Sequence, residues 1–202
     1  MADQLTFDAG THTYRHGSVR VPSVTAILRA AGLGPQYGDI DPAVLERARQ
    51  RGVAVDAACD LIDADDLDEA SVDPAIAGYV EAYRRFIADT GYTVRASQVQ
   101  VHHAPLGYCG TADMVGRMQG RVALLDRKCT ASMHPDVAIQ VAAYAEALNH
   151  MITESPPVTL IAGLHLRRDG SYKVHTYDLA AAFNVFRAAL VFYQWRQDGG
   201  KL

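Results

Sequence analysis

The chain has 202 residues, 49% of them hydrophobic and 21% charged, with a formal net charge of −4. That composition belongs to a globular protein with a sizeable core and excludes a disordered, collagen-like or coiled-coil chain. The acidic balance argues against a non-specific nucleic-acid coat protein, though not against an enzyme whose basic groups are local.

Residues 11–14 and 18–21 read as a hairpin turning at His16-Gly17. Ser23 is placed to cap a short helix over residues 24–31, which Gly32 and Gly34 end. The glycine-rich stretch 32–38 follows a helix rather than a strand and lacks phosphate-loop spacing, so it reads as a plain loop. Asp41-Pro42 opens a second helix, reaching about Ile62. The acidic run from Asp60 to Glu69 lacks the glycine and terminal glutamate of a calcium loop and reads as a solvated linker. Asp73-Pro74 opens a third helix, reaching about Thr90. The period then changes to two, predicting strands over 94–102, 109–118 and 121–129. His134-Pro135 opens a helix to about Met151 with Val137, Val141, Tyr144 and Leu148 as its apolar stripe. Residues 158–166 and 172–177 form another strand pair turning at Asp169-Gly170, and a helix over 179–195 follows. The order predicts a single α/β domain over 1–202: a hairpin and helices over 1–92, a mixed sheet with its helix over 93–178, and a helix over 179–202.

No run approaches 18 consecutive apolar residues, so no membrane-spanning helix is expected. The start, MADQLTFDAG, lacks the basic and apolar regions of a secretory signal, so a cytoplasmic location is the expectation. Cys59, Cys109 and Cys129 are widely spaced, with no C-x-x-C pair, and are expected to be reduced thiols. The histidines are scattered, with His102-His103 as the one adjacent pair, and read as structural or exposed.

The most informative stretch is 110–128. With Gln119-Gly120 as a hairpin turn, Met118 faces Arg121, and the same register sets Asp113 opposite Asp126 and Thr111 opposite Lys128. Lys128, two residues beyond Asp126, shares its face. Directly opposed carboxylates, with Cβ atoms about 4.5–5.5 Å apart, repel each other and need compensation. A divalent cation supplies it, and an all-oxygen site suits Mg²⁺ or Mn²⁺. The alternative is a pair of edge carboxylates neutralised by arginines such as Arg127. Two acids and a lysine on one face suit phosphodiester hydrolysis. On the helix that follows, Gln140 and Tyr144 are i, i+4 and either point back at this hairpin or serve as a surface Gln and a core Tyr.

Gly110-Thr-Ala-Asp113, Leu124-Leu-Asp126-Arg-Lys128 and Gln140-x-x-x-Tyr144 together resemble the PD-(D/E)XK nuclease superfamily, in its RecB-like and phage-exonuclease branch. Tyr14 with Val21-Pro-Ser-Val-Thr25 also resembles the start of phage-encoded members. The resemblance implies a restriction-endonuclease-like core, a central mixed β-sheet flanked by helices. It also implies an Mg²⁺- or Mn²⁺-dependent deoxyribonuclease, an exonuclease of DNA processing or recombination using metal-activated water, with DNA as its substrate and a recombination protein as a partner. Asp113 and Asp126 would be metal ligands, joined by the backbone carbonyl of Arg127. Lys128 would assist the nucleophile, and Gln140 and Tyr144 would support the site. Relatives carry a histidine ligand after an Arg/Lys-Gly pair, and here Arg51-Gly52 leads to Asp56, which would take that place or lie on the helix surface. Relatives also carry a first-strand glutamate where this chain offers Gln98. These two departures motivate the alternative of a non-catalytic DNA- or partner-binding domain on a nuclease scaffold. Arg47, Arg51, Arg84 and Arg85 are candidate phosphate contacts or ordinary solvated arginines.

Overall fold

Capping, turn chemistry and hydrophobic period set most elements where the sequence predicts them. The structure is a computed structural model describing residues 5–8, 10–11, 13–35, 38, 40–153 and 155–200. His12 of the predicted first strand, and Gln36 and Tyr37 of the predicted loop, lie outside the described residues.

Three short antiparallel strands, β1 (Leu5–Asp8), β2 (Thr13–His16) and β3 (Val19–Val21), form a small sheet in that order. The sequence predicts β2 and β3 but not β1. The turn falls one residue later than predicted, with Gly17 in the left-handed region at φ +60°. In α1 (Val24–Ala30) the Ser23 side chain accepts the Ala26 N–H, as predicted. In α2 (Pro42–Asp63) the Asp41 carboxylate accepts the Ala43 N–H at 2.7 Å, with Pro42 at the first helical position. Asp73 accepts the Ala75 N–H in the same way, yet residues 74–76 form turns and α3 (Ala77–Thr90) starts after them.

The central sheet has the order β4 (Thr93–His103), β5 (Tyr108–Met118), β6 (Arg121–Lys128), β7 (Val158–Leu166) and β8 (Tyr172–Tyr177). Among these pairs β6–β7 is parallel and the others antiparallel. A parallel pair cannot be joined by a tight turn, and α4 (Asp136–Met151) supplies the crossover. The helix α5 (Leu179–Gln197) follows β8.

Both faces of the sheet are covered, which is why β7 is apolar along nearly its whole length. One face buries Leu124, Val101 and Tyr108 against α1, α4 and α5. The other buries Met114, Leu125 and Leu164 against Val55, Tyr83 and Phe86 of α2 and α3. The result is a mixed α/β fold with a five-stranded sheet flanked by helices, the layout expected of a restriction-endonuclease-like core. The small sheet is tied to β5. The Cys109 N–H donates to the Pro22 carbonyl at 3.1 Å, and Tyr14, Val21 and Cys109 share a small core. The three cysteines are free thiols, as expected. Among the described residues no helix is long and apolar enough to cross a membrane.

The fit of α3 against the β7–β8 turn depends on Gly78. A Cβ there would lie 1.8 Å from the Arg168 carbonyl oxygen, so the backbones could not keep their spacing. Gly78→Ala is expected to cost about 1–3 kcal/mol, read as a lower urea midpoint at unchanged m value.

Candidate active site

The β5–β6 hairpin has the predicted register, from Met118 opposite Arg121 to Met114 opposite Leu125. The ladder stops there, one pair short of Asp113 and Asp126. The β4–β5 ladder also skips Asp113, pairing Ala112 with Val99 and Met114 with Ser97. Between those two β4 residues Gln98 has φ +51°, which distorts the strand beside Asp113. The expected direct pairings of Asp113 with Asp126, and of Thr111 with Lys128, are therefore absent from the ladder. Asp113 instead uses its side chain: Oδ2 accepts the Arg127 backbone N–H at 3.0 Å.

Strand alternation still brings the acids and the lysine together. Leu124 faces α4 while Ala123 and Leu125 face α2 and α3, so Asp126 and Lys128 face α4 and Arg127 faces the other way. Asp126 is 1% exposed and ion-pairs through Oδ2 with the Lys128 ammonium. The Gln140 amide donates to Asp126 Oδ1 and to the Tyr144 hydroxyl, each at 3.2 Å. The i, i+4 pair thus points at the hairpin. Gly110 makes room for it, because a Cβ there would lie 2.3 Å from Tyr144 Cε1.

Burial pushes the Asp113 carboxyl up to about 7, and the Asp126 charge adds to the effect. Burial raises Asp126 as well, against the opposing pull of Lys128, and the two carboxyls are close enough to hydrogen-bond when one is protonated. For Lys128, burial favours loss of the proton, but Asp126 and Asp113 outweigh it and hold the ammonium above its ordinary range. Beside these two carboxyls Lys128 is held as an ammonium. Burial, with the charge of Asp126, keeps Tyr144 a neutral phenol.

On the opposite face Arg127 is 3% exposed and held by α2. Its guanidinium ion-pairs with Asp56 at 3.3 Å, with Asp60, and with Asp63 at 3.9 Å, and lies 5.6 Å from the Tyr83 ring centroid. Only the Asp60 contact is a hydrogen bond; the other two are ion contacts. Asp63 also accepts the Tyr83 hydroxyl. This corrects the reading of Asp60–Glu69 as a solvated linker at Asp60 and Asp63, whereas Asp65, Asp66, Asp68 and Glu69 are exposed as expected. Asp60 and Asp63 lie on the inner face of α2, and their i, i+4, i+7 spacing from Asp56 was the available signal. Asp56 thus faces Arg127, yet burial and the Asp113 charge raise its carboxyl to about 6, which marks it as electrically part of the site.

Two clefts flank this cluster. One, of about 280 Å³, is lined by Asp113, Gln140, Tyr144, Gln98, Thr111 and Tyr14. Tyr14 reaches it from the small sheet and shares a 2.8 Å hydrogen bond with Thr111. The other, of about 180 Å³, is lined by Arg51, Asp56, Lys128 and Cys129. Of the candidate phosphate contacts, only Arg51 lines a cleft beside the acids. Arg47 is exposed on α2, while Arg84 and Arg85 are engaged by Glu69 and Glu81.

Among the described residues no three His, Cys, Asp or Glu side chains form a ready-made metal cluster. Asp113 and Asp126 nevertheless fit a hard cation. Burial destabilises both carboxyls as anions, the Asp126 charge adds to this at Asp113, and one ammonium serves the pair.

No family model matches the chain. A stretch of 79 residues is 34% identical to the human mitochondrial genome maintenance exonuclease 1, covering 36% of this chain and 23% of that protein's length. The structure is also similar to LHK-Exo, the alkaline exonuclease of Laribacter hongkongensis. The crystal structure with dAMP gives a TM-score of 0.40 at 13% identity over 89% of this chain and 94% of that one. A second crystal structure of it gives 0.36 at 12% identity, over 89% and 95%.

Two outcomes follow. Arg127→Ala leaves three carboxylates around an empty space and is expected to cost about 3–5 kcal/mol, measured by urea unfolding. Because the Asp113 carboxyl is raised in the fold, its charge weakens the metal-free protein as pH rises from about 4 to about 7. Asp113→Asn should therefore raise the Tm of the chelated protein at pH 8 by about 2–4 °C per kcal/mol relieved, with the gain vanishing at pH 4.

Proposed function

We propose that this protein is a divalent-metal-dependent deoxyribonuclease, and specifically an exonuclease of DNA processing or recombination in the PD-(D/E)XK superfamily. The observation that carries this reading is the Asp113–Asp126–Lys128 cluster, with Asp126 buried and its partners half-buried, at the open end of the β5–β6 hairpin and braced by Gln140 and Tyr144. The sequence match to an exonuclease supports it.

Asp113 and Asp126 would hold Mg²⁺ or Mn²⁺, with the Arg127 carbonyl and Asp56 at the edge of the site. A bound cation supplies positive charge against a phosphate oxygen and makes water a stronger acid. The Lys128 ammonium, fixed against Asp126, offers charge-assisted hydrogen bonds to the charge that develops at phosphorus. Gln140 orients the Asp126 carboxylate through Oδ1, leaving Oδ2 turned toward Lys128. Tyr144, a neutral phenol, holds the Gln140 amide in place. The cleft over Asp113 offers the opening through which a DNA strand would reach these groups. The substrate is DNA, and a recombination protein is the proposed partner in a cytoplasmic setting.

A second reading is a DNA- or partner-binding domain that has lost catalysis. It is favoured by the Asp56–Arg127 ion pair and by Gln98 beside Asp113 in place of an acid. End-labelled linear DNA and a closed circle, incubated with Mg²⁺, Mn²⁺ or chelator, separate the two. Metal-dependent loss of label from the linear form alone is the expected result. Binding without products in any metal would establish the second reading. Asp126→Asn and Lys128→Ala should each lower the cleavage rate by about 10²-fold or more, and wild-type rates in both would remove the assigned chemistry.

A further inference from the structure

The cleft over the carboxylates shares two lining residues with a larger one. Tyr14 and Ser23 line the first, beside Asp113, Gln140 and Tyr144. The same two residues line a second groove of about 490 Å³, lying between the small sheet, α1 and the last turns of α5. Arg20, Tyr193 and Gln197 face this second groove, and no carboxylate lines it among the described residues. That is notable in a chain whose net charge is −4. Arg20 is exposed and forms no ion pair with a described residue. Its neighbours are spent elsewhere: Arg15 donates to the Ser18 carbonyl and Arg196 to the Ala30 carbonyl. Tyr193 adds a half-buried aromatic ring. The groove has the volume of a small-ligand pocket and admits a nucleotide. At the junction the Tyr14–Thr111 hydrogen bond ties the small sheet to β5.

We propose that this second groove holds single-stranded DNA running on from the phosphate under attack. Arg20 meets a backbone phosphate and Tyr193 stacks on a base. A free cation beside an aromatic face in a carboxylate-free groove is the combination that binds single strands without sequence preference. The proposal rests on the nuclease reading for its orientation, but its ligand can be tested without catalysis.

The test is fluorescence anisotropy of a labelled oligothymidylate with the full chain in chelator, across a salt series. The wild type is expected to bind. Arg20→Ala should weaken binding and make the log–log salt slope shallower by about 0.7. Tyr193→Ala should weaken it roughly tenfold at an unchanged slope, and Tyr193→Phe should restore it. Wild-type affinity and slope in both alanine variants, or no binding by the wild type, would overturn the proposal. Hydrolysis of bis(p-nitrophenyl) phosphate with Mn²⁺ reads the carboxylates alone, and Arg20→Ala and Tyr193→Ala should leave it unchanged. Its absence from the wild type, together with absence of DNA cleavage, overturns the nuclease reading, whereas unaltered oligothymidylate binding in the variants overturns only the groove.

Discussion

Strand β6 must bury charge on both of its faces, and the rest of the site follows from how it does so. Asp126 and Lys128 leave the strand on one side and Arg127 on the other. A charge taken out of water is costly unless it is paired and hydrogen-bonded. On both sides the acids outnumber the base. Arg127 is surrounded by Asp56, Asp60 and Asp63 of α2, an excess of acid over base. Asp126 has one cation, one amide and a second carboxylate, and so remains short of positive charge.

The two clusters separate structure from chemistry. The Arg127 cluster fastens α2 to the sheet and delivers Asp56 to the strand ends. The Asp113–Asp126–Lys128 cluster sets two carboxyls against one ammonium beside an open cleft. The break in both β5 ladders at Asp113 serves the same end. A regular cross-strand pair would fix the two carboxylates by main-chain geometry, whereas here the Arg127 N–H holds one and Gln140 the other. Because the same strand supplies Asp126, Arg127 and Lys128, a shift of one residue in β6 would exchange the two clusters between faces.

The small N-terminal sheet extends this arrangement. It sits against β5 through Cys109 and Pro22, places Tyr14 beside Thr111, and contributes Tyr14 to the linings of two neighbouring clefts. Neither cleft belongs to a single element. The first lies where α1 and α4 meet the sheets and the second where α1 and α5 meet the small sheet, so the chemistry-bearing strands and the surfaces around them are set by different parts of the chain.

The elements and the inner triplet were legible in the sequence, because they depend on local rules. Ser23 and Asp41 mark helix starts by capping, and period-two runs mark β4 to β8. The spacing of Asp126 and Lys128 puts both on one face, and Gln140 with Tyr144 shares a helical face by the same kind of arithmetic. Asp60 and Asp63 looked like solvent-facing acids because their helical spacing from Asp56 marks a shared face but not the buried guanidinium on a distant strand that this face meets. The Asp113 ladder break, the Tyr14–Thr111 contact and the two-cleft groove were likewise invisible in one dimension. They join residues far apart in the chain, and such contacts are decided by how the helices and the small sheet settle on the central one.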